Sequence, residues 1–127
     1  MSARRVAERF RTNSRGFATR FRALLLLFIV ALLCDAISTT RFMLREGGPH
    51  SEAHPVVRYV SQIVGPILGP WLGALGKFTA AMVVAIYLRR WAAVILLVGT
   101  VLSLWAAWYN IWGVNLYTPA LLHLIPW

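Results

Sequence analysis

Two ionisable residues lie inside strongly apolar stretches of this 127-residue chain. Asp35 follows the run Ala-Leu-Leu-Leu-Leu-Phe-Ile-Val-Ala-Leu-Leu, and Lys77 lies in an apolar run that ends at Arg89. A charged side chain in a membrane helix costs about 2.5 to 3.5 kcal/mol, so such residues usually face a helix bundle and find a partner there. We therefore predict an ion pair between Asp35 and Lys77. Alternatively, Lys77 snorkels outward and Asp35 pairs with Arg41 or with another subunit.

The depth of the two residues supports the pairing. At 1.5 Å of rise per residue, Asp35 lies about 12 Å from the outer end of its helix and Lys77 about 9 Å from the outer start of its own. Small residues and hydroxyls beside them allow helices to approach closely and to hydrogen-bond. The predicted helix-packing residues are Ser38, Thr39, Gly69, Gly73, Gly76 and Ala80. We expect these two faces to pack together, either as a structural clasp or as a proton- or ion-handling site.

A second candidate site lies in the loop after the first apolar run, where His50, Glu52 and His54 alternate. Alternate side chains of an extended segment point to the same side. The pattern could hold a metal ion if further ligands came from elsewhere. The alternative is an ordinary loop in which Glu52 caps a helix that begins at Pro55.

The composition indicates where all of these residues must lie. The chain is 59% hydrophobic and 13% charged, whereas soluble domains carry about 25% charged residues. A chain of this length has too little interior to hide so much apolar surface from water. We therefore predict one all-α domain over residues 1–127 that is embedded in a membrane.

The hydropathy pattern predicts three transmembrane helices, each close to the roughly 20 residues needed to cross a bilayer. A basic amphipathic helix precedes them, and a short amphipathic half-helix, interfacial or re-entrant, follows the first loop. In chain order the predicted segments are 1–22 (basic segment), 23–43 (first span), 44–55 (loop), 56–68 (half-helix), 71–88 (second span), 91–114 (third span) and 115–127 (tail). The apolar stripe of the basic segment is Val6, Phe10, Phe17 and Phe21, and that of the half-helix is Val56, Val60, Ile63, Val64 and Ile67.

The basic residues predict the orientation. Seven of them precede the first apolar run and are opposed by one acid, Glu8: Arg4, Arg5, Arg9, Arg11, Arg15, Arg20 and Arg22. Such residues concentrate on the cytoplasmic side of a membrane and attract anionic lipid headgroups. With Arg89-Arg90 on the same side, the N-terminus is cytoplasmic and the C-terminus is outside. The partner of the basic segment is then anionic lipid and not nucleic acid. The membrane is a bacterial inner membrane or, alternatively, a mitochondrial inner membrane.

Five tryptophans near the predicted helix ends form an expected pair of interface belts: Trp71, Trp91, Trp105, Trp108 and Trp112. The alternative for the tryptophans of the third span is a pigment or quinone held at a contact with another subunit. We predict no cofactor for the chain itself and expect bound lipids.

Three motifs occur in a fixed order: Asp35-x-x-Ser38-Thr39, Glu52-x-His54-Pro55 and Lys77. This order resembles a family of uncharacterised small prokaryotic membrane proteins. Those have an Asp-x-x-Ser/Thr first span, a Glu-x-Asn-Pro loop and a membrane-embedded lysine. The resemblance covers roughly residues 30–90, with His54 in place of the asparagine. It implies a shared architecture and no particular activity.

Three functions follow as hypotheses. The sequence favours a non-enzymatic accessory subunit of a larger membrane complex, respiratory or photosynthetic for example, that docks by helix packing and lipid-surface contacts. The second hypothesis is a small enzyme or an ion- or proton-handling protein with an outer-face site at Asp35, Glu52, His54 and Lys77. The third is a homo-oligomer assembled through its glycine faces. No catalytic residue is assigned, and enzymatic activity stays open.

Overall fold

The computed structural model describes residues 2–45 and 55–113, and all regular structure within them is helical. The helices are α1 (Ala3–Ser14), α2 (Phe17–Arg20), α3 (Arg22–Arg45), α4 (Pro55–Val64), α5 (Leu68–Tyr87) and α6 (Ala92–Trp108). A 3₁₀ turn (Arg89–Trp91) joins α5 to α6, and a π-helical turn (Tyr109–Gly113) extends α6. Three helices are long and apolar enough to cross a membrane: Arg22–Leu44, Leu68–Tyr87 and Arg89–Ile111. The prediction of a helical chain with three such segments is confirmed.

Helices α3, α5 and α6 form a bundle in which the most extensive packing is between α3 and α6. Its core comprises Phe17, Leu25, Phe28, Leu32, Ala85, Ala92 and Leu96. The Phe28 ring stacks on Phe78 of α5 with 6.2 Å between ring centroids. On α6, Gly99 makes room for the same ring, since a Cβ at Gly99 would lie 2.8 Å from Phe28 Cε2. Large residues on α3 therefore interlock with small residues on α6, the arrangement by which membrane helices gain packing energy.

Helix α4 folds back along the first part of α5 as a tight antiparallel hairpin. The reversal occurs at Gly65, whose φ of +97° is a conformation that favours glycine. Gly69 of α5 faces Ser61, and a Cβ at Gly69 would lie 2.6 Å from the Ser61 Cα. One turn further on, Gly73 faces Val57. The glycines of α5 therefore accommodate α4, and the predicted packing of Gly69 and Gly73 against the first span is wrong.

The boundaries of this hairpin also differ from the prediction. The half-helix ends at Val64 instead of residue 68, and α5 begins at Leu68 instead of Trp71. Pro70 is compatible with the earlier start because the first turn of a helix needs no backbone N–H from its proline. The predicted apolar stripe of the half-helix points away from the bundle, and the buried side is formed by Val57 and Ser61. Close approach at the two glycines, and not hydrophobicity, selects the buried side.

The basic N-terminal segment is divided into two helices. α1 ends at Ser14, and Gly16 takes a φ of +65° before α2 begins at Phe17. Phe17 is 2% exposed and lies in the bundle core beside Phe21, with 4.8 Å between ring centroids. The predicted surface position is therefore wrong for these two phenylalanines. The turn at Gly16 directs them into the bundle.

Candidate functional site

The two ionisable residues predicted to pair lie in direct contact. Lys77 on α5 donates a hydrogen bond from Nζ to Asp35 Oδ2 on α3 over 2.7 Å, a charge-assisted ion pair. The Asp35 side chain is 7% exposed and that of Lys77 is 37% exposed. The carboxylate is therefore enclosed by the bundle, while part of the lysine is reached from outside it.

Hydroxyl groups on α3 extend the ion pair along the same helix. Thr39 donates from Oγ1 to Asp35 Oδ1 over 3.3 Å, and Ser38 donates from Oγ to the Asp35 backbone carbonyl over 3.0 Å. Residues three and four positions apart lie on one face of a helix, and Asp35, Ser38 and Thr39 are all buried. The neighbouring Leu33 and Ile37 are exposed, so a single polar face of α3 turns inward.

An asparagine of the third span completes the arrangement. Asn110 donates from Nδ2 to Thr39 Oγ1 over 2.8 Å and to Ser38 Oγ over 3.2 Å. It lies in the π-helical turn after α6, and such turns are frequent at functional sites. We call Asp35, Ser38, Thr39, Lys77 and Asn110 the polar network. It joins the three spans at one level of the bundle.

The sequence predictions missed Asn110 as a member of this network. A signal was present, since Asn110 is the one amide of the third span, and an isolated amide among apolar residues needs a partner. Its partners could not be named because they depend on the level at which α6 packs beside α3. That level follows from the contact between Phe28 and Gly99, a fit that periodicity does not encode.

The network can do two things chemically. It can fix helix order and rotation, because each polar side chain in it contacts another helix or another member. It can also hold a proton or a cation, because a carboxylate and an amine lie in contact and Lys77 is partly open. Within the described residues, the polar network contains one acidic and one basic side chain.

Comparison with protein-family models, curated proteins and solved structures found no match. The resemblance carried by Asp35, Ser38, Thr39 and Lys77 therefore stays a prediction.

The predicted small-residue strip on α5 is divided between two surroundings. Its first two glycines are covered by α4, as described above. Gly76 has nothing within 4 Å of the position of an added Cβ, and Ala80 is exposed. Both residues are exposed, so their predicted packing against the first span stays a prediction. We call Gly76, Lys77 and Ala80 the open face of α5.

The arginines of the N-terminal segment lie at the same end of the bundle as the turn between α5 and α6. All seven are exposed. Arg9 lies over the Tyr87 ring at 4.7 Å, and Asn13 donates to the Tyr87 carbonyl over 3.1 Å. Arg89 donates to the backbone carbonyls of Asn13 and Arg15. The two basic segments of the chain are therefore bound to each other.

The other predicted residues lie apart from the network or outside the described residues. Trp71, Trp91, Trp105 and Trp108 are exposed on the helix surfaces. His50, Glu52 and His54 fall in the stretch 46–54, which lies outside the described residues, as does the side chain of Trp112. The metal-site hypothesis therefore stays a prediction.

Proposed function

We propose that this protein is a small non-enzymatic subunit of a membrane complex and that a transmembrane helix of a partner packs on the open face of α5. The N-terminus and Arg89 lie on the cytoplasmic side of a bacterial inner membrane in this proposal, and the third span ends outside. The polar network serves as the internal clasp that holds α5 in place for docking.

The observation that carries the proposal is the surrounding of Lys77. Its side chain is 37% exposed, and its small neighbours on α5, Gly76 and Ala80, are exposed as well. Counting 1.5 Å per residue from Leu88, Lys77 is about 16 Å inside the membrane. A lysine whose side chain is partly uncovered at that depth is unfavourable unless further contacts shield it. A partner helix would shield it, and the small residues beside it allow the close approach that such packing requires.

The burial of the three spans also supports docking of a partner on α5. The share of the most apolar stretch that is buried is 44% in the first span, 28% in the third and 17% in the second. Of the three spans, the helix that bears the lysine is thus the one that the described residues cover least. Lipid can solvate the apolar side chains of α5, but it offers Lys77 no polar contact beyond the one that Asp35 already makes.

The arrangement of basic residues supports the orientation. Arg89 and the N-terminal segment share one end of the bundle through the hydrogen bonds to Asn13 and Arg15. Because basic residues concentrate on the cytoplasmic side of a membrane, both segments of this cluster are expected on that side.

Site-specific crosslinking in native membranes tests the proposal. Cys34 is replaced by serine, and a single cysteine is placed at Ala80 on the open face or, as the matched control, at Leu97 on the exposed side of α6. A product with a different membrane protein from position 80, absent from position 97, is expected. A product of twice the chain mass from position 80 alone would show that the protein assembles with copies of itself, and the subunit proposal would then be replaced by a homo-oligomer. Equal products from both positions would contradict docking on α5.

A second candidate function is proton or ion handling at the ion pair. The specific observation in its favour is that the Asp35 carboxylate is enclosed while the lysine that binds it is open on one side. Proteoliposomes containing the wild type and Asp35→Asn would be compared for flux of protons and monovalent cations. Flux that the wild type supports and Asp35→Asn loses would favour this function, and equal background flux would leave the subunit proposal.

A further inference from the structure

A groove between α1 and the inner end of α5 is distinct from the polar network and from the open face. Its volume is about 760 Å³, within the range of roughly 300–1,000 Å³ that is usual for small-ligand sites. It is lined by Ala3, Val6, Ala7, Phe10, Arg11, Val83 and Tyr87. Six of the seven lining side chains are apolar or aromatic, and Arg11 is the one charged member.

The groove exists because α1 is held to the bundle at one end only. Its C-terminal part is bound through Arg9 over Tyr87 and through the hydrogen bond from Asn13 to the Tyr87 carbonyl. No residue of α1 is buried. Val6 is 38% exposed although it faces Val83 across the groove. The N-terminal half of α1 therefore presents an apolar side to α5 without closing on it.

The groove also extends from the edge of the span into it. Tyr87 is the last residue of α5, and Val83 lies one turn, about 6 Å, further in. Arg11 lines the groove from α1, which also bears Arg4, Arg5 and Arg9. The one acid of α1, Glu8, is engaged by Arg4 at 3.4 Å. An occupant with an apolar inner part and an anionic outer end would therefore match both the apolar walls of the groove and the exposed arginines of α1.

We propose that this groove binds one anionic phospholipid, with an acyl chain between Val6, Phe10 and Val83 and the phosphate on Arg11. Charge complementarity selects this occupant, because a zwitterionic lipid would gain the same apolar contacts without matching the excess of positive charge on α1. The bound lipid fills the space that α1 leaves against α5 and holds α1 along the bundle.

The test is lipid binding by the purified full-length protein in mild detergent, measured by native mass spectrometry during titration with phosphatidylglycerol or phosphatidylcholine. We expect the first phosphatidylglycerol to bind more tightly than phosphatidylcholine. Arg11→Gln should weaken phosphatidylglycerol binding about fivefold, the usual effect of one basic residue at an anionic surface. Arg5→Gln removes the same charge outside the groove, without releasing Glu8 from Arg4, and should weaken it less than twofold.

Filling the groove tests the acyl-chain contact separately. Val83→Phe keeps every charge, and Val83 is 49% exposed, so the larger ring projects into the groove without entering the core. Ala7→Phe fills the groove from α1 and serves as the second variant, with helix content checked by circular dichroism. Both should weaken binding of phosphatidylglycerol.

Two results would overturn the assignment. One is equal loss for Arg11→Gln and Arg5→Gln together with unchanged binding by both groove-filling variants. The other is a dimer mass that Val83→Phe abolishes while lipid binding is unchanged, since the groove would then hold a second copy of the chain. Because the isolated protein is used, neither result depends on the docking partner proposed above.

Discussion

The ion pair between Asp35 and Lys77 should contribute measurably to the stability of the bundle. Breaking a buried pair by removing one partner costs about 3 to 5 kcal/mol in soluble proteins. Here 37% of the lysine side chain is exposed, so part of that cost is already relieved. We expect Lys77→Met to lower the free energy of unfolding by about 2 to 3 kcal/mol, because the enclosed carboxylate loses its charged partner and, among the described residues, keeps the hydrogen bond from Thr39.

The reverse change should be milder. In Asp35→Asn the amide can still accept from Thr39, and the lysine can extend toward the membrane surface. We expect a loss of about 1 to 2 kcal/mol for this variant, near the value of a hydrogen bond to a charged group. The double variant Asp35→Asn/Lys77→Met should lose less than the sum of the two, with a coupling of about 1 to 2 kcal/mol. A neutral pair suits this site better than a charge swap, because the space at position 35 is too enclosed for a lysine.

The assay is unfolding of the purified protein from mild detergent into dodecyl sulfate, followed by circular dichroism. The four proteins of the cycle are compared under one set of conditions. Wild-type stability in both single variants, or strictly additive losses in the double variant, would refute the pairing as a stabilising contact. Either result would also contradict the proposal that the polar network holds α5 in place.

The remaining predictions concern packing. Gly69→Ala should lower the free energy of unfolding by about 1 to 3 kcal/mol, because the new Cβ overlaps α4, whereas Gly76→Ala should be neutral or slightly stabilising in the purified protein. Asn110→Leu should cost about 0.6 to 1.7 kcal/mol, the range measured for hydrogen bonds between membrane helices. Gly99→Ala should be destabilising by about 1 to 3 kcal/mol because it meets the ring of Phe28, and Phe28→Leu should remove most of that added cost. The unfolding assay above measures all of them.

Each packing prediction has its own opposing result. Equal stability of Gly69→Ala and Gly76→Ala would show that α4 does not need the close approach. If Asn110→Leu lowered the free energy of unfolding as much as Lys77→Met, the contacts of the third span would stabilise the bundle as much as the ion pair does. Additive effects of the changes at Gly99 and Phe28 would mean that the two residues do not share a contact.

The spans and the charged pair could be predicted because each follows from a local rule. A run of about 20 apolar residues has few alternatives to a membrane helix. Two residues of opposite charge in two such runs have few other groups with which to pair, so they are expected to pair with each other. The pairing of Asp35 with Lys77 could therefore be predicted from residue type and depth alone.

The faces of the helices could not be predicted in the same way. Hydrophobicity distinguishes buried from exposed residues when the solvent is water, but in lipid both sides of a helix can be apolar. Steric fit then decides, and Val57 and Ser61 are buried because they lie opposite Gly73 and Gly69. Nothing in the periodicity of α4 carries that information. The same reason explains why Asn110 could be seen as polar but not assigned to its partners.

The polar network and the open face of α5 are coupled by geometry. Asp35 holds Lys77 from the bundle side, so it fixes the rotation of α5 about its axis. Gly76 and Ala80 lie on the same helix as Lys77, so the rotation that this contact fixes also sets the direction in which they face. A variant such as Asp35→Asn, although it lies on α3 and faces the interior, should therefore reduce crosslinking of a partner to a cysteine at position 80. A conservative change on the outer surface of α3, such as Ile37→Val, should not. Full crosslinking in Asp35→Asn would show that docking does not depend on the network, and the two features would then have to be explained separately.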